Sequence, residues 1–196
     1  GLGAIRNDGF ICGIAVATGK ETAYFPLRHS DIFIDYKRDE KIWDALNEKI
    51  FQNENITKIF HNAMYDVCWI RAVTGMKMKG RIVDTMIAAS VIDENRFKYS
   101  LDSLSKDYLN EEKYKYDLQK KTLEWSGGTV KDPMTNMHKL PASIVKEYAK
   151  QDVNLTYKLW NIFNKEIDKV LYTKEDGEQK TCRQIFELET KLFLCL

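Results

Sequence analysis

The sequence lacks the features that mark several classes of protein. Its 30 lysine and arginine residues are balanced by 29 aspartate and glutamate residues, which leaves a net charge of +1. The chain therefore has no bulk basic field, and any contact with nucleic acid must be local. No apolar run approaches the roughly 20 residues of a membrane span, and the first residues do not form a signal-peptide pattern. We expect a cytoplasmic protein with no membrane partner.

Cysteines are few, and the sequence has neither a Cys-x-x-Cys pair nor a histidine at zinc-finger spacing. The four are Cys12, Cys68, Cys182 and Cys195. This scatter argues against structural zinc and favours a reducing, cytosolic setting. With 196 residues, 44% of them apolar and 30% charged, the chain is long enough for one packed domain, or for one domain with a terminal appendage.

The first half of the sequence alternates between strand and helix patterns. Two β-rich runs, Gly9 to Thr18 and Thr22 to Leu27, predict a hairpin. The order β-β-α-β-α-β-α predicts an α/β fold, a mixed sheet flanked by helices. After the hairpin, the predicted segments are a helix over 41–51, a strand over 58–60, a helix over 62–73, a strand over 81–83 and a helix over 84–92.

The second half is predicted to be mainly helical. A small helix over 101–109 precedes a polar stretch from Asn110 to Pro141, which we interpret as a mobile excursion. A long amphipathic helix is predicted from Ser143 to Val170. Asp176-Gly177 indicates a turn, and Thr181 to Leu196 is predicted to be a last helix without a capping residue.

Two acidic side chains lie on the apolar faces of separate predicted helices. Asp152 shares a face with Val145 and Leu159, and Asp66 shares one with Trp69. A buried carboxylate is costly unless an arginine, a proton or a metal ion compensates it. Either acid alone is explained by helix capping or a lysine contact at the edge of the core. Together, they favour a metal or catalytic site.

Clustered carboxylates suit Mg²⁺, which takes one or two protein carboxylates and fills its other positions with water and phosphate oxygens. Two such ions can clamp the attacking and leaving oxygens of a phosphodiester. Tyr148 lies one turn before Asp152, where its hydroxyl could orient the attacking water. Alternatively, Tyr148 is a core aromatic residue with its hydroxyl in water.

Two segments resemble motifs of a known family. His61-Asn62-Ala63-Met64-Tyr65-Asp66 resembles the second exonuclease motif in the proofreading domain of family A DNA polymerases. Tyr148-Ala149-Lys150-Gln151-Asp152 resembles its third motif, Tyr-x-x-x-Asp, which defines the tyrosine-bearing class of DEDD exonucleases. The resemblance covers nearly the whole chain and is closest to phage-type polymerases, and Thr181 to Leu196 is similar to the helix that joins the exonuclease and polymerase domains.

This resemblance implies a ribonuclease-H-like fold and two-metal hydrolysis, with Mg²⁺ or Mn²⁺, from the 3′ end of single-stranded or frayed DNA. It implies that Asp66 and Asp152 are metal ligands and that Tyr148 orients the water. Asn62 would contact the substrate or cap its helix, and the cap is the favoured role. Capping also explains Asp84, which is not expected to be catalytic, and the sequence shows no partner for His29.

The resemblance also implies a domain organisation. Residues 1–170 correspond to the exonuclease domain, and 171–196 to a linker and the start of the helix leading to a polymerase domain of the same polypeptide. A phage-encoded protein of this kind would work in the cytoplasm of the host cell. The family's first motif, Asp-x-Glu on the central first strand, is absent from the sequence and is expected before Gly1. We therefore expect the 196 residues alone to be weakly active or inactive.

Two further functions and one binding surface follow from the same residues. A non-catalytic nucleic-acid-binding or scaffolding module, in which the acids only cap or pair, is supported by the absent Asp-x-Glu. An RNA-trimming exonuclease of the same superfamily is the third reading, and the polymerase-linking helix argues against it. Lys113 and Lys115 alternate with Tyr114 and Tyr116, so this segment could contact phosphates and stack bases, or could be a solvated face.

Overall fold

The computed structural model of the chain describes residues 4, 6, 8–111, 115–125 and 133–195. The strands in it are β1 (Gly13–Ala17), β2 (Thr22–Pro26), β3 (Lys58–Phe60), β4 (Ile82–Asp84), β5 (Val170–Thr173) and β6 (Gln179–Thr181). The α-helices are α1 (Tyr36–Leu46), α2 (Ala63–Thr74), α3 (Thr85–Ile92), α4 (Leu101–Leu109), α5 (Lys115–Trp125), α6 (Ala142–Glu166) and α7 (Arg183–Cys195). A π-helical turn over Asn47–Phe51 extends α1, and a 3₁₀ segment over Pro133–Lys139 precedes α6.

The predicted hairpin is confirmed. Strands β1 and β2 are antiparallel, with Ala17 opposite Thr22. Gly19 allows the tight connection, because its φ of +82° lies in the left-handed region that favours glycine. A Cβ at this position would lie 2.5 Å from the ring of Tyr157 on α6. The turn therefore requires glycine both for its backbone conformation and for its close contact with α6.

Strands β3 and β4 form a parallel pair joined by α2, as the sequence predicts. Phe60, the last residue of β3, is opposite Asp84, the last residue of β4. Helix α2 ends at Gly75, whose φ is +70° and whose N–H donates to the carbonyl of Arg71 at 2.9 Å. Because parallel strands end at the same edge, the segments after β3 and β4 lie side by side.

The hairpin and the parallel pair form separate two-stranded sheets within the part of the chain that the structure describes. Helix α6 packs against β1, β2 and β3, and so spans both pairs. The combination of antiparallel and parallel strands with covering helices confirms the predicted α/β class. Because α6 carries Asp152, its packing on β3 brings that residue towards the edge where β3 and β4 end.

The main core lies between α6 and the helices α3, α4 and α7. Its largest fully buried members are Phe163, Phe186, Leu104, Leu155 and Leu159. Edge-to-face packing of Tyr108 on Phe163 extends this core to the outer side of α4. The predicted stripe of α6 is thus confirmed as a core face. A second cluster, around Leu46, Phe51 and Ile70, joins α1 and α2.

The interpretation of residues 110–141 as a mobile excursion is wrong for two described segments. Residues 115–125 form α5, and 133–139 form the 3₁₀ segment. Leu118 and Leu140 are buried and pack with Val145 of α6. Leu118 and Thr122, which lie one helical turn apart, are both buried. The lysines of this stretch leave only a weak apolar pattern in the sequence.

The C-terminal region contains an additional hairpin. Strands β5 and β6 are antiparallel around the predicted turn at Asp176-Gly177, and they are missed by the sequence because all of β5 is exposed. The predicted last helix is confirmed as α7, which packs on α3. Among the described residues, no helix has both the length and the apolar character that crossing a bilayer requires.

Candidate active site

The site is built where β3 and β4 end and where α6 crosses them. His61 and Asn62 follow β3, and Asp84 ends β4. Helix α2 starts at Ala63, which places Asp66 in its first turn. Two sequence motifs that lie far apart along the chain, the one ending in Asp66 and the one ending in Asp152, are therefore brought to one edge of the parallel pair.

Asp66 is in an environment that disfavours its negative charge. Burial, the charge of Asp84 and the charge of Asp152 raise the pKa of the Asp66 carboxyl to about 7. A backbone hydrogen bond opposes this shift but does not cancel it. The charged groups that raise the pKa are carboxylates, so Asp66 lies in an acidic cluster. A cation in the same place would reverse the effect of these neighbours.

Asp152 faces this cluster from α6. Its Oδ1 is buried, and its main-chain carbonyl accepts a hydrogen bond from the hydroxyl of Thr156 at 2.8 Å. Its charge acts on Asp66 across the gap between α6 and α2. The structure therefore brings together the two acids that the sequence places on separate apolar faces.

Tyr148 lies one turn before Asp152 on the same helix and is half-buried. Its ring packs against the cluster of Leu118, Leu140 and Val145. This packing fixes the ring on the side of α6 that faces α5. Tyr148 thus has the contacts of a core aromatic residue.

The favoured role of Asn62 as a helix cap is wrong. Asn62 occupies the position before α2, with φ of 64° and ψ of 55°, and its side chain does not accept a hydrogen bond from any described N–H of that helix. Asp84 fills the role, because its Oδ1 accepts from the N–H of Asn62 at 3.0 Å and its Oδ2 accepts from the N–H of Ala63 at 2.7 Å.

Asp84 is the N-cap of α3, as predicted, since its Oδ1 also accepts from the N–H of Met86 at 2.8 Å. The sequence gives no direct sign of its bonds to Asn62 and Ala63. The parallel register, in which Phe60 is opposite Asp84, is the signal that could have revealed them.

The histidines have defined surroundings. His61 Nδ1 lies 2.9 Å from the hydroxyl oxygen of Thr85. His29, for which the sequence shows no partner, has two: Nε2 lies 2.6 Å from the Tyr24 hydroxyl and Nδ1 lies 3.1 Å from the carbonyl oxygen of Leu140. His29 therefore ties β2 to the segment before α6, a contact 111 residues apart in sequence that local patterns do not encode.

Gly9 lies close against the side chain of Trp69 on α2. A Cβ on Gly9 would lie 2.7 Å from the ring of Trp69 on α2. The next residue, Phe10, packs edge-to-face on His138 in the 3₁₀ segment, with ring centroids 5.2 Å apart. Residues 9 and 10 thus connect α2 with the segment that leads into α6, and a larger residue at position 9 would displace Trp69.

Two predicted substrate contacts lie outside what the structure describes. These are Lys113 and the side chain of Lys115, whose backbone begins α5. Lys120 and Lys121, further along α5, are exposed. Separately, a polar cleft of about 470 Å³ runs along α6 and includes Lys150, Asn154 and Lys158, but not Asp66 or Asp152.

The acids alone do not complete a metal centre. In the described ranges, no three His, Cys, Asp or Glu side chains are grouped so that they could hold a metal ion. Asp84 is already occupied by three N–H groups. Two carboxylates fit a Mg²⁺ ion that completes its coordination with water and substrate oxygens, since this ion takes only one or two protein carboxylates.

Comparison with protein families identifies the class. A model of the 3′–5′ exonuclease family of A-type DNA polymerases matches residues 1–168. The chain therefore belongs to this 3′–5′ exonuclease family, which confirms the assignment made from the motifs ending in Asp66 and Asp152.

Two sequence relatives are phage DNA polymerases. DNA polymerase DpoZ of Acinetobacter phage SH-Ab 15497 is 31% identical over 173 residues, which cover 87% of this chain and 25% of the relative. DNA polymerase DpoZ of Salmonella phage PMBT28 is 31% identical over 195 residues, which cover 98% of this chain and 28% of the relative. The chain thus spans about a quarter of the length of these curated relatives.

The fold is similar to that of NrnC from Brucella melitensis. The structure of NrnC bound to pGG superposes with a TM-score of 0.66 at 16% identity, covering 100% of this chain and 77% of NrnC. The structure of NrnC with bound Mg²⁺ gives 0.65 at 15% identity, with the same coverage. At this identity the likeness concerns the fold, and it confirms the predicted ribonuclease-H-like class.

Proposed function

We propose that this chain is the proofreading 3′–5′ exonuclease portion of a DNA polymerase and that the parent protein hydrolyses phosphodiesters from the 3′ end of single-stranded or frayed DNA. The observation that carries the proposal is the pair Asp66 and Asp152, whose helices bring two carboxylates close enough for one charge to act on the other. Membership of the exonuclease family gives this pair its chemistry.

In this proposal Asp66 and Asp152 hold Mg²⁺ or Mn²⁺, and the complete site contains two ions. A divalent ion there would act as a Lewis acid towards the phosphate and lower the pKa of bound water. The two residues suit it because a cation between them would offset their mutual repulsion, which adds to burial and to the charge of Asp84 in raising the pKa of Asp66. The Mg²⁺ in NrnC, a protein of similar fold, supports a divalent metal.

Tyr148 and Asn62 are assigned roles beside the acids. The hydroxyl of Tyr148 orients the attacking water, and its ring, packed on Leu140 and Val145, fixes where the hydroxyl points. The side chain of Asn62 is exposed and is not used as a cap, so it can contact the terminal nucleotide. Lys113 and Lys115 would contact phosphates further along the strand.

The domain assignment is part of the same proposal. Residues 1–170 form the exonuclease domain, which agrees with the family match over 1–168. Residues 171–196 are a linker and the start of the helix that leads to a polymerase domain of the same polypeptide, since DpoZ of Salmonella phage PMBT28 aligns with 98% of the chain and is itself a polymerase. For a phage-encoded protein, the place of action is the cytoplasm of the host cell.

One observation favours a second candidate function. Because no group of three metal-binding side chains is present among the described residues, the chain could be a non-catalytic nucleic-acid-binding or scaffolding module of a polymerase. In that case Asp66 and Asp152 would only cap helices or pair with other side chains and would not bind a catalytic metal. The two functions differ in whether DNA is degraded or only bound.

The test is to incubate the full-length protein with 5′-labelled single-stranded DNA and Mg²⁺. The exonuclease proposal predicts a ladder of products that shortens from the 3′ end and stops when EDTA is added. Binding of the same oligonucleotide without shortening, at any Mg²⁺ or Mn²⁺ concentration, would support the scaffolding module instead. The rate of degradation of an RNA oligonucleotide of the same sequence, compared with that of the DNA, shows which of the two the protein prefers.

A further inference from the structure

The carboxylate of Asp84 does more than cap its own helix. It is 3% exposed, and its two oxygens accept three backbone N–H groups, those of Met86, Asn62 and Ala63. One of these belongs to the start of α3, and the other two belong to the start of α2. A single buried carboxylate therefore receives orphan donors from two helices, and the second helix is the one that carries Asp66.

The next residue, Thr85, holds the same turn at a second point. Its hydroxyl donates to the carbonyl oxygen of Phe60 at 3.1 Å. Since this uses the only proton of the hydroxyl, the oxygen accepts from Nδ1–H of His61 at 2.9 Å. Thr85 is fully buried, so these bonds are shielded from water. Asp84 and Thr85 thus bind four consecutive residues, from Phe60 at the end of β3 to Ala63 at the start of α2.

The turn that Asp84 and Thr85 hold contains a residue in the left-handed region of backbone conformation. Asn62 has φ of 64° and ψ of 55°, a left-handed conformation that residues other than glycine adopt infrequently, although asparagine adopts it more readily than most. Its side chain does not cap any described N–H of α2. The direction in which α2 leaves the sheet therefore depends on the bonds that Asp84 and Thr85 supply.

We propose that Asp84 and Thr85 are positioning residues of the exonuclease centre: by fixing the His61–Asn62–Ala63 turn, they set where α2 begins and where Asp66 points. This inference rests on the proposed function for its consequence, because Asp66 is there a metal ligand. Neither residue needs to touch metal or DNA. Asp84 acts through main-chain N–H groups, and Thr85 acts through the carbonyl of Phe60 and the imidazole of His61.

The experiment compares three conservative variants, one at Asp84 and two at Thr85, in the full-length protein. Asp84→Asn preserves the shape of the side chain but replaces one acceptor oxygen by an NH₂ group, which cannot accept from the backbone N–H groups that Asp84 binds. Thr85→Val removes the hydroxyl, and Thr85→Ser retains it. Asp35→Asn is the matched control, because Asp35 caps α1 by accepting from the N–H of Arg38 and lies outside the site. Melting temperature, Mn²⁺ affinity and the kinetic constants on single-stranded DNA are measured for each.

We expect Asp84→Asn and Thr85→Val to fold, to bind Mn²⁺ about 10- to 100-fold more weakly and to lose kcat by a similar factor. KM for DNA should change little. Thr85→Ser should keep the Mn²⁺ affinity and kcat of the wild type, and so should Asp35→Asn. A lower melting temperature with unchanged Mn²⁺ affinity and kcat would reduce Asp84 to an ordinary cap and overturn the proposal. If Asp84→Asn does not fold, the Thr85 pair decides alone.

A metal-free readout separates this inference from the proposed function. Amide hydrogen exchange over residues 62–66 in EDTA should be about tenfold faster in Thr85→Val and Asp84→Asn than in the wild type. Faster exchange in a protein that does not degrade DNA would contradict the exonuclease but not the positioning role. Unchanged exchange in both variants would contradict the positioning role even if the wild type is an active nuclease.

Discussion

Asp66 in the first turn of α2 and Asp152 on α6 repel each other, and this repulsion adds to burial and to the charge of Asp84 in raising the pKa of Asp66 to about 7. In metal-free protein the folded state keeps the Asp66 proton from about pH 4 up to that value, whereas the unfolded state has released it. The free energy of unfolding therefore falls as the pH rises through this range.

Asp66→Asn should remove this loss of stability. One pKa unit corresponds to about 1.4 kcal/mol, and partial exposure of the side chain reduces the effect of the shift on stability. We therefore expect the free energy of unfolding of Asp66→Asn to exceed that of wild type by about 1 to 3 kcal/mol at pH 8. Urea unfolding at pH 5 and pH 8 in EDTA measures this difference, with Asp35→Asn as control. Equal pH dependence in wild type and Asp66→Asn would show that Asp66 ionises normally.

His29 should produce the opposite pH dependence. Burial lowers the pKa of its imidazole below 6.5, so the unfolded state takes up a proton first as the pH falls. The stability that neutral His29 contributes is present above pH 6.5 and is lost as the pH falls towards the folded pKa. His29→Gln should cost about 1 to 3 kcal/mol at pH 8, and less at pH 5.5.

Thermal unfolding of wild type and His29→Gln at both pH values measures this effect. The difference in the free energy of unfolding between the two proteins should shrink at the lower pH. A difference that does not change with pH would mean that burial does not lower the pKa of His29.

Helix α5 is predicted to be a stabilising element. Leu118 is 3% exposed and packs with Leu140 and Val145, so Leu118→Ala should cost about 2 to 5 kcal/mol. The exposed Lys120 on the same helix serves as control, since Lys120→Ala should stay within about 0.5 kcal/mol. Chemical denaturation measures both. A cost below that of the control would restore the interpretation of this region as a mobile excursion.

Local patterns predict some elements closely and fail for others. Strand β3 and helix α4 are found at their observed bounds, because a short apolar run and an apolar stripe after Ser100, whose hydroxyl caps α4, are local signals. Strand β5 is exposed along its whole length and gives no such signal. In helix α5, lysines stand beside the buried Leu118 and Thr122 and dominate the sequence pattern.

The candidate site divides in the same way. Asp66 and Asp152 are found from the sequence because an acid on an apolar helix face is unusual. The bonds from Asp84 to Asn62 and Ala63, and from His29 to Leu140, join residues 21 to 111 positions apart. They depend on strand register and helix packing, which the order of residues alone does not specify.

Lys113 and Lys115 should contribute to DNA binding by neutralising phosphates. Replacing both by glutamine should weaken binding of single-stranded DNA and reduce the slope of log K against log salt by about 0.7 for each phosphate that is no longer neutralised. Titrations at several NaCl concentrations measure the slope. Lys174→Gln combined with Lys180→Gln is the control, because these lysines pair with Glu178. An unchanged slope would assign Lys113 and Lys115 to a solvated face.

The most direct test of the central claim is the exonuclease rate of Asp66→Asn and Asp152→Asn in the full-length protein, on single-stranded DNA with Mg²⁺. If these two carboxylates hold the catalytic metal, each substitution should lower the rate on the order of 100-fold or more, while polymerase activity in the same preparation is unchanged. Degradation by either variant at the wild-type rate would contradict the assignment of the site.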